Sequence, residues 1–160
     1  MTSHSNNRGF GVIEVLIGLT IISIVIAAAF SISTRSLQVR ALSVDNVQAS
    51  LLLQEGAEAV RLIRDSGWAT TSALALGMPY SLAWNGVMWA PAAPDGLIDG
   101  FFDRRFSLSS ISRDSGHRIV TSGGTVDPDG RLVTLSVSWK PYYGATTTRR
   151  TSFYLLNLFN

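Results

Sequence analysis

The sequence predicts an α+β fold: a long N-terminal helix, membrane-spanning in its first half, with a C-terminal antiparallel β-sheet packed on its second half. Three observations predict it. An apolar run extends from Phe10 to about Phe30, a proline-free amphipathic stretch continues to Asp65, and beyond it apolar and polar residues alternate between turn signals. At 160 residues the chain suits one domain with a core and is too short for two ordinary ones. Its apolarity is concentrated near the N-terminus, which points to a membrane segment. The net charge of +2 reflects a small excess of Arg and gives no electrostatic case for nucleic acid. With no cysteine, a disulfide framework and a thiolate metal site are both excluded.

Residues 1–9, MTSHSNNRG, are polar and end in Arg8-Gly9; the apolar run that follows carries one charge, Glu14. At 1.5 Å per residue the run is roughly 31 Å of helix, the thickness of a bilayer's hydrocarbon core. A secretory signal peptide cut near Ala27-Ala28-Ala29 is the competing reading. The single Arg before the run and the run's length, beyond the usual ~7–15 residues, count against it. Arg8 on one side and Arg35 and Arg40 on the other leave orientation open by charge alone. A carboxylate inside an apolar span costs something like 2–3 kcal/mol at mid-bilayer and less near its edge, so Glu14 calls for a partner. If the chain is cut between Gly9 and Phe10, the new α-amine lies one helical turn away, where the first amides of the helix have no intrahelical acceptors. In a bundle of identical helices the same carboxylate could neutralise a neighbour's amine and set the register between subunits. The plain alternative is a Glu that snorkels to the headgroups.

Arg8-Gly9-Phe10, then Gly11-Val12-Ile13-Glu14-Val15-Leu16-Ile17 and continuous apolar residues, closely resembles the signature of type IV prepilins and pseudopilins. The resemblance implies cleavage by a prepilin peptidase after Gly9, N-methylation of Phe10, and a role for Glu14 in guiding assembly. It also implies the other partners: further pilin subunits, the inner-membrane assembly platform and membrane lipid. Gly11 replaces the small polar residue usual after the phenylalanine, and no proline interrupts Phe10–Asp65, a departure from many major pilins. On this reading residues 1–9 are a leader, 10–30 the transmembrane or filament-core helix, 31–65 its amphipathic continuation, 66–100 a connecting region and 101–160 the antiparallel sheet. The C-terminal domain is expected outside the cytoplasm, on a cell-surface pilus or periplasmic pseudopilus. Gln54 to Asp65, closed by Trp68, also resembles PilV-like minor pilins and type II secretion pseudopilins.

Val47, Leu51, Leu52, Leu53, Ala57, Val60 and Ile63 recur at helical spacings and are expected to face the sheet. Glu58 with Arg61 and Arg61 with Asp65 are expected surface pairs, and Gly67 is the expected stop. Tyr80, Leu82 and Trp84, then Asn85-Gly86, then Val87 and Trp89 read as a hairpin on a two-residue type I′ turn, with Pro91, Pro94, Asp95-Gly96 and Asp99-Gly100 as a loop. A strand carrying Phe106 and Leu108 ends near Arg113, a turn at 114–116 leads to a short strand near 118–121, and Leu132–Trp139 is the clearest strand. Phe153–Phe159 is read as the last, giving about four strands in an order the sequence does not reveal.

No phosphate loop, dinucleotide fingerprint or zinc-protease motif is present, and no cofactor is expected. His4 falls in the leader; Asp114, Ser115 and His117 read as turn chemistry and not as a catalytic trio. Asp95 with Asp99, and Asp127-Pro128-Asp129-Gly130, read as ordinary turns that contain calcium-ligand types without a full ligand spacing. Trp84, Trp89 and Tyr142-Tyr143 lie in or beside turns, where some could face a partner pilin or adhesive target, but core burial is the default, above all for Trp139; Arg149-Arg150 is a thin version of a single-stranded DNA surface. The chain is therefore read as a structural minor pilin or pseudopilin subunit and not an enzyme. Its alternatives are a membrane-anchored binding domain that does not polymerise, and a secreted protein released near Ala29.

Overall fold

The computed structural model describes residues 8–141 and 144–158. Residues 1–7 of the expected leader, the Tyr142-Tyr143 pair and Phe159 lie outside the described residues.

Helix α1 runs Arg8–Ser66 without a break, as the absence of proline allows. It begins two residues before the expected Phe10, so the Gly9–Phe10 bond lies within its first turn. Gly67, at φ +150°, stops it, and the Gly67 N–H donates to the Arg64 carbonyl at 3.0 Å. A five-residue helix α2, Trp68–Ser72, follows; its brevity hides it from any periodicity reading.

The chain divides between Val44 and Asp45 into two compact units. The second holds the C-terminal part of α1, α2 and six strands: β1 Ser81–Trp84, β2 Trp89–Ala92, β3 Asp103–Arg113, β4 Ile119–Val120, β5 Thr125–Trp139 and β6 Thr147–Leu156. β1 and β2 form a separate hairpin, and the four-stranded antiparallel sheet has the order β4-β3-β5-β6. Arg104, Phe106 and Leu108 of β3 stand opposite Val137, Leu135 and Val133 of β5, which in turn face Arg149, Thr151 and Phe153 of β6. This parity puts Phe106, Leu108, Val133, Leu135, Val137, Trp139 and Leu155 into one core with Ala49, Leu53 and Val60 of α1. Burying each large aliphatic of that core contributes about 1.5–3 kcal/mol. The other sheet face is polar, with Thr134 and Ser152 hydroxyls 3.2 Å apart and Ser138 and Thr148 hydroxyls 3.0 Å apart.

Five expectations need correction. Val47 and Leu51, expected on the core face, are more than half exposed, because the helix turns Ala49, with the expected Leu53 and Val60, into the core shared with the sheet. Arg61 pairs with Glu58 but not with Asp65; its guanidinium lies over Phe153, and Asp65 takes Arg64. The hairpin pairs Trp84 with Trp89, so its loop is the four residues 85–88 and not a two-residue turn. The Asn85 side-chain oxygen accepts the N–H groups of Val87 and Met88, an Asx arrangement that makes the longer loop self-sufficient, and Pro91 falls inside β2, in an isolated hairpin where its missing N–H costs little. Asp127–Gly130 lies inside β5 as an irregularity: the register passes from Ser110↔Arg131 to Ile111↔Asp127, with Pro128 in the unpaired segment. Finally, β6 occupies Thr147–Leu156, not 153–159, its polar first half being an outer strand of the sheet with one wet face.

Candidate functional site

The apolar part of α1 is long and apolar enough to cross a membrane, and none of its most apolar window is buried within the protein. Val12, Ile13, Val15, Leu16, Ile17, Leu19, Ile21 and Ile22 are all more than half exposed. In an apolar phase every polar group must find its partner inside the segment. Two of the three polar side chains between Gly11 and Phe30 do so: the Thr20 hydroxyl donates to the Ile17 carbonyl and the Ser23 hydroxyl to the Leu19 carbonyl, both at 2.7 Å. The third, Glu14, is exposed and has no partner among the described residues. Past this stretch Ser31, Ser33 and Thr34 bond back in the same way. Gly9 and Phe10 occupy the first turn, where amides lack intrahelical acceptors.

The remaining sequence candidates resolve into structural roles. Asp114 Oδ1 accepts the N–H groups of Gly116 and Arg118 at 2.9 Å each, and His117 sits at φ +61° with its own N–H on the Asp114 carbonyl. That is a tight turn, not a nucleophile and base. Asp127 Oδ2 takes the Arg113 Nε at 2.6 Å and its Oδ1 the Asp129 N–H at 2.9 Å, while Asp129 Oδ1 accepts the Asn157 amide at 3.2 Å. The Arg113 hydrogen bond holds the Asp127 carboxyl below its ordinary value of 3.8 against the opposing effect of burial, helped by the Asp129 N–H and the charges of Arg113 and Arg131. These oxygens are turned to protein donors, and no group of three or more metal-ligand side chains occurs among the described residues. Asp95 and Asp99 flank Ile98, which pairs with Phe102 in an isolated bridge. Trp139 is buried, Trp89 half-buried and Trp84 exposed, the last two in edge contact at 5.6 Å. Arg149 is exposed, and its Nε donates to the side-chain oxygen of Asn46 of α1 at 3.0 Å.

Two residues that pattern reading passes over hold the second unit together. Gly56 sits where an added Cβ would come within 3.0–3.2 Å of Leu135 and the Arg104 Cδ, so its bareness lets α1 lie close on β5. Arg104, buried on the core face, reaches back to α1 at Glu55 and at the Leu52 carbonyl.

Comparison with known proteins bears on the helix end. The family model described as the prokaryotic N-terminal methylation motif matches residues 4–30. This is the prepilin-type signature of type IV pilin-like proteins, pseudopilins among them, and the long helix followed by antiparallel sheets is a pilin-like α+β arrangement. The signature is that of structural, typically non-enzymatic proteins, and it implies processing by prepilin peptidase and assembly with other pilins. The apolar helix and the motif together fit a membrane-anchored, single-pass protein. No curated protein and no solved structure matches the chain.

Proposed function

We propose that this chain is a minor pilin or pseudopilin, a structural subunit cut between Gly9 and Phe10, methylated on the Phe10 amine, and drawn through Glu14 into a type IV pilus or type II secretion-like filament. The observation that carries the reading is Glu14: alone among the polar side chains of residues 11–30 it lacks a partner among the described residues, within an apolar run where an unpaired charge is disfavoured. A neighbour's Phe10 α-amine supplies the opposite charge in a place where each helix end has free amides. The inner-membrane assembly platform and lipid hold the subunit before assembly, with the second unit outside the cytoplasm. The exposed side chains from Val12 to Phe30 are then the surface that lipid covers before assembly and other helices cover after it.

The test is intact mass and N-terminal peptide analysis of the protein recovered from its host's membranes. A chain beginning with N-methylated Phe10 is expected. One beginning near Phe30, or still carrying Met1, overturns the reading and leaves a secreted or simply anchored domain.

A further inference from the structure

The four-stranded sheet is closed along one edge and open along the other. On the β3 side the chain covers its own edge: Gly77 donates its N–H to the Leu108 carbonyl and Tyr80 and Phe106 exchange N–H donations to each other's carbonyls, all at 2.8 Å, while β4 pairs with Ser112 and Arg113. At the other end of the order β4-β3-β5-β6, β6 pairs with β5 alone among the described residues, and no turn or loop bond among them reaches its outer side. A strand paired on one side directs alternate backbone groups away from its partner, so about half of the N–H and C=O groups of Thr147–Leu156 stand at the rim.

Such a rim templates a further strand, and edge strands are ordinarily blunted by proline, lysine, a bulge or short length. β6 has ten residues in unbroken register with β5 and contains neither proline nor lysine. Thr148, Arg149, Arg150, Thr151 and Ser152 are all exposed. The backbone therefore accepts an extended segment, and the side chains decide which one.

Arg149 and Arg150 are the only charges of β6, and they stand on opposite faces. Arg149 lies opposite Val137 and reaches Asn46 of α1; Arg150 lies opposite Ser136 on the wet face. Successive side chains of an added strand also alternate between faces, so two adjacent carboxylates would meet both arginines. A second copy of β6 fits poorly, since it would bring further arginines and no acidic residue. Tyr154, exposed on the face of Arg150, offers its ring to a β-branched side chain of the same segment. We propose that β6 is an acceptor edge for an extended acidic segment of another protein, which joins the sheet as a fifth strand with adjacent carboxylates against Arg149 and Arg150.

The test uses the full-length protein in detergent micelles and a short blocked peptide carrying two adjacent glutamates within alternating threonine and valine. Titration is expected to show saturable binding, and hydrogen exchange to slow across residues 147–156. Methylating alternate peptide nitrogens removes the backbone donors and is expected to abolish binding, and replacing both glutamates with lysines to weaken it about tenfold or more. Arg150 is exposed, so Arg150→Glu is expected to keep the parent's melting temperature while weakening the glutamate peptide about tenfold. Absence of saturable binding, equal binding of the N-methylated peptide, slowed exchange elsewhere but not in β6, or protection of β6 that rises with protein concentration without peptide would each overturn the proposal, the last by showing that a second copy fills the edge. None of these results touches the filament reading, which N-terminal processing decides separately.

Discussion

Gly56 shows how one missing atom group sets the approach of two elements. Alanine there gains about 1 kcal/mol of helix propensity, but its Cβ would press on Leu135, which is fully buried, and on an Arg104 stem held by Glu55 and the Leu52 carbonyl. Overpacking a site whose neighbours cannot yield costs roughly 1–3 kcal/mol, so the loss wins. Gly56→Ala is expected to lower the melting temperature of the second unit by several degrees, read by circular dichroism. An unchanged or higher value would show that Leu135 can move aside. At this scale the sequence is uneven in what it discloses. Glu14 stands out because a lone carboxylate interrupts an apolar run. Arg104 hides in Asp103-Arg104-Arg105, which reads as a charged surface, although it shares the parity of Phe106 and Leu108 and therefore their face. Gly56 gives no signal at all, since its role depends on a side chain 79 positions later in the chain.

Strands are legible where alternation is driven by burial and obscure where it is not. β3 and the second half of β5 alternate cleanly because one face meets α1 and the other water. The first half of β6, Thr147–Ser152, has no apolar rhythm, and only its pairing with β5 makes it a strand. The Asp127–Gly130 stretch carries turn residues because β5 bends there, and a Cβ on Gly130 would stand 2.2 Å from the Ile111 side chain. Beside the backbone pairing of Ile111 with Asp127, the Asp127–Arg113 pair adds a charged tie between this irregular part of β5 and β3. Since the folded carboxyl titrates below its ordinary value of 3.8, the pair's stabilisation is fully present above that value and is lost as pH falls through the lower folded value. The stability gap between the parent and Asp127→Asn, measured by denaturant midpoints, is expected to be constant at neutral pH and to narrow below about pH 4. A gap that persists unchanged at pH 2–3 would mean that the charge is not what holds the two strands.

The two units of the molecule stand in opposite relations to their surroundings. The second closes its own core around Leu108, Val133, Leu135 and Val137, whereas the exposed side chains between Val12 and Phe30 meet no counterpart among the described residues. Folding and assembly therefore depend on different residues, and substitutions should separate them. Glu14→Ala removes a charge disfavoured in an apolar span, by less near its edge than the about 2–3 kcal/mol at mid-bilayer, and installs a better helix former, so retention in the membrane is not reduced. If the carboxylate is what pairs with a neighbour's Phe10 amine, incorporation into sheared filaments falls sharply, and the melting temperature of the second unit stays where it was, since distant sites contribute independently. Gly56→Ala is the converse case, with a lower melting temperature and unaltered cleavage at Gly9. Fractionation of host cells into membrane and sheared-filament pools, with the melting curves of both variants, decides between the two architectures open to such a chain. Should Glu14→Ala enter filaments as the parent does, the carboxylate is not the assembly group. Should the parent itself be confined to the membrane pool with its N-terminus correctly processed, the second unit is an anchored binding domain that does not polymerise.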